Sequence, residues 1–239
     1  MILRTEELFK KYKHRMVVNG ISISVRQGEI VGLFGPNGAG KTTTFYMTIG
    51  LVKPYCGSVY LGDSDITDCP MYQRARAGVS YLAQDSSIFR GLSVEDNLMA
   101  VAQTLTVSKN EQQKKVDSLL ENFDLTRLRK QVSITLSGGE KRRLEIARAL
   151  VTNPKFLLLD EPFVGIDPIT VDDIQKIIRS LRNRGFGILI TDHNVREALE
   201  IIDRAYIIYE GKVLLEGSAK ELLENPKAKK IYLGDNFKM

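Results

Sequence analysis

Tryptophan is absent from this 239-residue chain, and there are only two cysteines, two histidines and seven prolines. Cys56 and Cys69 have no metal-ligand spacing around them, which argues against a disulfide-stapled scaffold or a cysteine-based zinc module. No internal repeat and no low-complexity stretch occurs, so solenoid, collagen-like and linker-rich chains are excluded. The cleanest apolar runs, at 156–159 and 187–190, fall far short of the roughly 20 residues of a membrane-spanning helix. The opening MILRTEELFKKYK lacks the apolar stretch of a secretion signal, so a reduced, cytoplasmic setting is expected. Lys+Arg 34 against Asp+Glu 29 leaves +5, with both signs interspersed; that permits an anionic partner and selects none.

What is present reads as alternating strands and helices. Alternation over 21–25 and the apolar run 30–34 predict strands, the second entering a glycine loop. A helix is predicted from about 40 to 49, closed by Gly50, and a strand at 58–61. Ser93-x-x-Asp96 and Ser108-x-x-Glu111 each open a helix in the pattern of a capping box. In the second of these, Val116, Leu119, Leu120 and Phe123 form one apolar stripe. Strand signals are few between 92 and 152, which predicts a helical insertion. Strands then return at 156–159, 187–191, 204–209 and 212–216. Asp167-Pro168 supplies an N-cap and first-turn proline for a helix carrying Ile174, Ile177, Ile178 and Leu181, and Ser218-x-x-Glu221 caps a last one. An α/β core with an inserted helical lobe is expected.

Two segments carry nucleotide chemistry. Gly35-Pro36-Asn37-Gly38-Ala39-Gly40-Lys41-Thr42 fits G-x-x-x-x-G-K-[ST] between a predicted strand and a predicted helix, the context that motif requires. Its glycines let backbone N–H groups surround phosphate oxygens, Lys41 reaches the outer phosphates, and Thr42 offers a hydroxyl to Mg²⁺. Phe156-Leu-Leu-Leu-Asp160-Glu161-Pro162 delivers two carboxylates to the C-terminal end of a buried strand. Asp160 suits the metal, and Glu161 suits the water that attacks the γ-phosphate.

Leu136-Ser137-Gly138-Gly139-Glu140 narrows the class. Ser137-x-x-Glu140 is also a plain capping box, but two glycines at the first helical positions cost stability unless backbone must approach a ligand. With this segment the sequence resembles the ATP-binding cassette (ABC) family across essentially its whole length. The resemblance implies a P-loop NTPase with a RecA-like α/β core lobe (about 1–84 and 153–239), a small antiparallel β-subdomain and a helical lobe (about 85–152).

It further implies ATP and Mg²⁺ as ligands. Tyr12 would stack on adenine, and the loop from Gly35 to Thr43, with Thr42 and Thr43 at its end, would hold the phosphates. Thr42, Gln84 and Asp160 would face Mg²⁺, with Gln84, Glu161 and His193 catalytic. Ser137, Gly138, Gly139, Glu140 and Asp167 would close on nucleotide held by a second copy, in a head-to-tail homodimer. Integral membrane subunits are the implied partners, docking beside Gln84 and Phe89 at the cytoplasmic face of the inner membrane. Packing of Ile88, Phe89 and Leu92 into the core is the alternative there.

Segments 42–47, 87–90, 96–101, 191–197 and 232–237 are similar to the lipopolysaccharide-export branch of the family, whose permease pair would then be the partner. Importer ATPases such as the branched-chain amino-acid type share the nucleotide motifs. A non-transport ABC ATPase acting on DNA or the ribosome is a more distant reading, since those usually carry insertions for which this chain has no room. Ala83 and Ser80 depart from the branch, which usually has proline and glycine at these positions.

Overall fold

The computed structural model describes residues 1–233, so the tail 234–237 that the sequence comparison draws on lies outside the described residues. Two sheets form. The first is antiparallel, with β1 (Ile2–Tyr12) between β2 (Arg15–Ile21) and β5 (Cys56–Leu61), flanked by β6 (Ser64–Asp65) and with β3 (Ser24–Arg26) also on β1. The second joins β4 (Ile30–Phe34), β7 (Val79–Leu82), β8 (Phe156–Asp160), β9 (Gly187–Thr191), β10 (Arg204–Tyr209) and β11 (Lys212–Ser218) in the order β11-β10-β4-β9-β8-β7. All neighbours in it are parallel except the edge pair β10–β11.

The central strands are apolar on both faces because both are covered. Phe156 and Leu158 join a core between the two sheets with α1 (Lys41–Ile49), while Leu157 and Leu159 face the helices. Between residues 93 and 150 the chain is helical: α3 (Val94–Ala102), α4 (Lys109–Asn122) and α5 (Gly138–Ala149), after the short α2 (Met71–Ala77). Val116, Leu119, Leu120 and Phe123 are all buried, as the stripe predicts. Ser108 and Ser137 make full capping boxes with Glu111 and Glu140. Ser93 caps α3 only halfway: its Oγ accepts from Asp96 N and donates to the Asp96 carboxylate at 2.5 Å. Aspartate is one methylene short of the glutamate or glutamine that completes the box. After β8 come α6 (Pro168–Asn183), α7 (Val195–Leu199) and α8 (Ala219–Glu224). No helix among the described residues is long and apolar enough to cross a membrane.

One buried cation ties the glycine-loop helix to the turn that follows β6. Arg74, 1% exposed, donates to Met47 O and Thr48 O at the end of α1, and to Thr67 O and Cys69 O in the turn before α2. All four are charge-assisted bonds, and the two to Met47 and Thr48 lie at a helix C-terminus, where a cation is favoured. Arg74→Met fills a similar volume but leaves four acceptors without this donor. A loss of about 3 kcal/mol or more is expected, read as a lower urea midpoint at unchanged slope.

Candidate nucleotide site

The strand order β4-β9-β8-β7 sets four loops side by side at one end of the parallel sheet. They are the glycine loop after β4, His193 after β9, Asp160-Glu161 closing β8, and Gln84 after β7. Ligands of open α/β sheets bind at this end.

The glycine loop is shaped by close backbone approach. Gly35 (φ 145°) lies so near β10 that a Cβ would stand 2.0 Å from Ile208 O, and one at Gly40 (φ 107°) would stand 2.7 Å from Val17 O. A side chain at either position would clash and strain the backbone. Gly38 opens to free space. Val17, Asn37–Thr43 and His193 line a cleft of about 160 Å³. A neighbouring hollow of about 460 Å³ runs from Pro36–Ala39 to Arg15, Met16, Val17 and Glu210. Tyr12 is half exposed on the β1–β2 hairpin that supplies Arg15–Val17, but is not among the lining residues.

Lys41 is buried and donates to Gly35 O (2.6 Å) and Pro36 O (3.0 Å). Burial pulls its pKa below the usual lysine value, and the Glu161 carboxylate partly opposes that. The cation is held in its own loop with little solvation, ready to be compensated by anionic oxygen.

Glu161 is bracketed. Gln84 Nε2 donates to its Oε2 at 2.7 Å, and His193 Nε2 lies 2.9 Å from its Oε1. Its backbone sits in the left-handed region (φ 48°), with its N–H on Thr191 O. A non-glycine residue there is strained by about 1–3 kcal/mol, a cost met at functional sites.

Asp160 is buried, with Oδ1 accepting from Thr191 Oγ1 at 2.5 Å and Oδ2 lacking a partner. Burial raises its pKa. A buried carboxylate oxygen without a donor, beside a phosphate loop, fits a hydrated divalent cation. The described residues hold no cluster of three or more His, Cys, Asp or Glu able to cage a metal. Asp192, pushed up to about 6 by burial, accepts from Phe163 N and Asn194 N and so braces the turn that displays His193.

Ser137–Glu140 and Asp167 do not line the glycine-loop cleft. Ser137 N–H is taken by the Glu140 carboxylate at 2.7 Å, and this bond lowers the Glu140 pKa. The two glycines separate in role: a Cβ at Gly139 would meet Thr170 Cγ2 at 2.6 Å, so packing against α6 requires it, whereas Gly138 has room. Asp167 caps α6 by accepting from Thr170 N (3.0 Å) and Thr170 Oγ1 (2.6 Å). Ile88 is buried in the helical core, while Phe89 (48% exposed) and Leu92 face outward.

A glycine loop between strand and helix, a paired Asp-Glu at a strand end and a glycine-started helix outside the glycine-loop cleft are the features of a cassette-type ATPase. The sequence profile of the ABC transporter family matches residues 18–164, and the chain belongs to that family. The lipopolysaccharide export system ATP-binding protein LptB of Acidithiobacillus ferridurans is 54% identical over 100% of this chain and 99% of its own. An uncharacterized ABC transporter ATP-binding protein of Rhizobium meliloti is 57% identical, covering 97% of this chain and 86% of its own. The crystal structure of an ABC transporter's ATP-binding cassette in its ADP conformation has a TM-score of 0.88 at 31% identity, covering 98% of this chain and 99% of that one.

Proposed function

We propose that this chain is the ATP-hydrolysing subunit of a lipopolysaccharide exporter, with a core lobe of about 1–84 and 153–239 and a helical lobe of about 85–152. The observation that carries the catalytic part is the bracketing of Glu161 by Gln84 and His193. Full-length identity to the Acidithiobacillus protein supports the cargo. Lys41, Thr42, Thr43 and the amides of the Gly35–Gly40 loop bind the phosphates of ATP, and Tyr12 covers the base. Thr42, Asp160 and Gln84 would hold Mg²⁺, which would supply positive charge to neutralise the phosphates. Glu161 accepts the proton of the attacking water, and Gln84 and His193 fix the two carboxylate oxygens so that one lone pair faces it. His193 also reaches the γ-phosphate.

Ser137–Glu140 and Asp167 act on ATP held by a second copy. Their placement away from the glycine-loop cleft supports this reading, because the site is completed only when two copies close head to tail. Closure on ATP and reopening after hydrolysis is a ligand-driven population shift.

Membrane subunits dock at the outward face of the 87–92 loop, which places the chain at the cytoplasmic face of the inner membrane. Arg148 stacks 5.1 Å from the Phe89 ring centroid, and fully buried Asn97 pairs with both Phe89 N–H (2.8 Å) and Phe89 O (3.1 Å). An exposed aromatic fixed this firmly is a rigid anchor for a partner helix. Phe89→Ala is therefore expected to leave melting and basal ATPase near wild type and to abolish co-purification with the permease pair. A melting drop of several degrees with partner binding intact would overturn the docking role. Co-expression tests the whole reading: the chain should co-purify with a lipopolysaccharide-export permease pair and not with a branched-chain amino-acid permease. The reverse result would refute the cargo.

A further inference from the structure

Arg142 is 6% exposed and sits one turn into α5, the helix opened by Gly138-Gly139. Its guanidinium does not point at the nucleotide loop. Nε donates to Pro162 O (3.2 Å), and Nη2 to Glu161 O (3.2 Å) and Asp160 O (3.4 Å). Nη1 donates to Ala83 O (3.2 Å), the residue before Gln84, and to Glu145 Oε2 (3.1 Å). Glu145 is likewise buried, and its other oxygen accepts from Ser87 N at 3.0 Å. One ion pair thus reads the carbonyls on both sides of Glu161 and both ends of the turn that carries Gln84.

That arrangement has a purpose that packing alone does not require. Glu161 is held at φ 48°, a conformation a glutamate leaves unless its surroundings over-determine it. Three consecutive carbonyls, 160–162, converge on one planar fork of donors across the strained turn. Arginine is suited to this because its donors have fixed relative directions, whereas lysine offers a single ammonium. The pair also lies within one helix as an i,i+3 bridge, so α5 carries clamp and counter-charge together.

We propose that Arg142, charge-balanced and aimed by Glu145, is a positioning residue that locks Glu161 in its left-handed turn and fixes it relative to Gln84 and the 83–87 segment. The inference rests on the catalytic reading of Glu161. Arg142 touches no reacting atom; it acts by keeping the Glu161 carboxylate between Gln84 and His193. Because the glycine loop is not part of the clamp, disturbing it should alter the chemical step and spare nucleotide binding.

The test is steady-state ATPase kinetics on full-length Arg142→Lys, Arg142→Met and Glu145→Gln proteins, each with its melting temperature and its fraction of nucleotide-competent sites measured. Misplacing a catalytic group by about 1 Å can cost up to about 100-fold. Arg142→Met should lower kcat per competent site by roughly 10- to 100-fold with the KM for ATP changed less than about 2-fold. Arg142→Lys should recover part of that loss, and Glu145→Gln, which keeps the shape and all the carbonyl bonds of Arg142, should lower kcat by several-fold. Should Arg142→Met fail to fold, the other two variants carry the test. A merely structural role would lower melting and the competent fraction while kcat per site stayed at the wild-type value in Arg142→Lys and Glu145→Gln; that result would overturn the proposal. Wild-type protein that did not hydrolyse ATP would instead overturn the catalytic reading beneath it.

Discussion

Replacing Glu161 with glutamine is expected to lower ATP turnover by about 10²–10⁴-fold while leaving ATP binding intact, since positioned proton transfer contributes about that much. The substitution isolates the proton acceptor. Glutamine matches glutamate in shape, and its backbone meets the same left-handed strain, so the turn persists. Its amide oxygen can keep the bond from Gln84 Nε2. Its amide nitrogen can face His193 Nε2, which then accepts in its other neutral tautomer. Geometry survives, and only the basic lone pair is gone. Phosphate release should collapse, a fluorescent ATP analogue should bind with near-normal affinity, and ATP-bound dimers should accumulate on gel filtration. Turnover within a few-fold of wild type would remove Glu161 from the proposed role.

Much of this site was legible in the sequence, because its chemistry rests on short contiguous patterns. A glycine loop between strand and helix, and an Asp-Glu pair ending an apolar run, are local signals. The order β4-β9-β8-β7 then needs only to bring their loops together. What escaped was non-local or aperiodic. β1 is missed because Glu7 (φ 47°) bulges it: the buried positions run Leu3, Thr5, Leu8, and the three-residue step breaks the alternation. α2 is missed because its one buried residue is Arg74, held by carbonyls rather than by an apolar stripe. The adjacency of Ile88 and Phe89 concealed opposite fates, one in the core and one in solvent, on a backbone that Asn97 holds at Phe89 from eight residues away.

Of the two departures from the export branch, Ser80 gains a partner at the end of α5 through its own side chain. Ser80 Oγ donates to Ala149 O at 2.8 Å, and Ala83 O accepts from Arg142. The Ser80 hydroxyl thus ties β7 to the end of α5, where glycine would bring none, whereas the Ala83 carbonyl is backbone that proline would present equally. Nothing in the spacing of Arg142 or Glu145 distinguishes them from solvated charges on a basic helix. Burial identifies them, and burial is a property of the assembled fold.

Lys41→Met is expected to separate stability from function. Burial is the larger influence on Lys41, and it depresses the pKa in the folded state. The sign follows from linkage: a base with a lowered folded-state pKa carries its desolvation penalty at neutral pH, and the penalty is relieved only as pH rises through that lowered value. Methionine keeps the unbranched volume and removes the charge. The bonds to Gly35 O and Pro36 O are lost, which offsets part of the gain. The nucleotide-free variant should therefore melt at or slightly above the wild-type temperature. With ATP the order reverses. Charge-assisted bonds to phosphate are worth about 1.5–3 kcal/mol, or roughly 10- to 150-fold in affinity. At saturating ATP a 100-fold weaker affinity removes about 2.7 kcal/mol of ligand-induced stabilisation. Thermal melts with and without ATP, on both proteins at the same concentration, read this directly. The wild type should shift upward with ATP, and the variant should shift little. An equal shift in both would mean that Lys41 does not face the phosphates. A large melting drop in the nucleotide-free variant would mean that its contacts to Gly35 and Pro36 outweigh its desolvation.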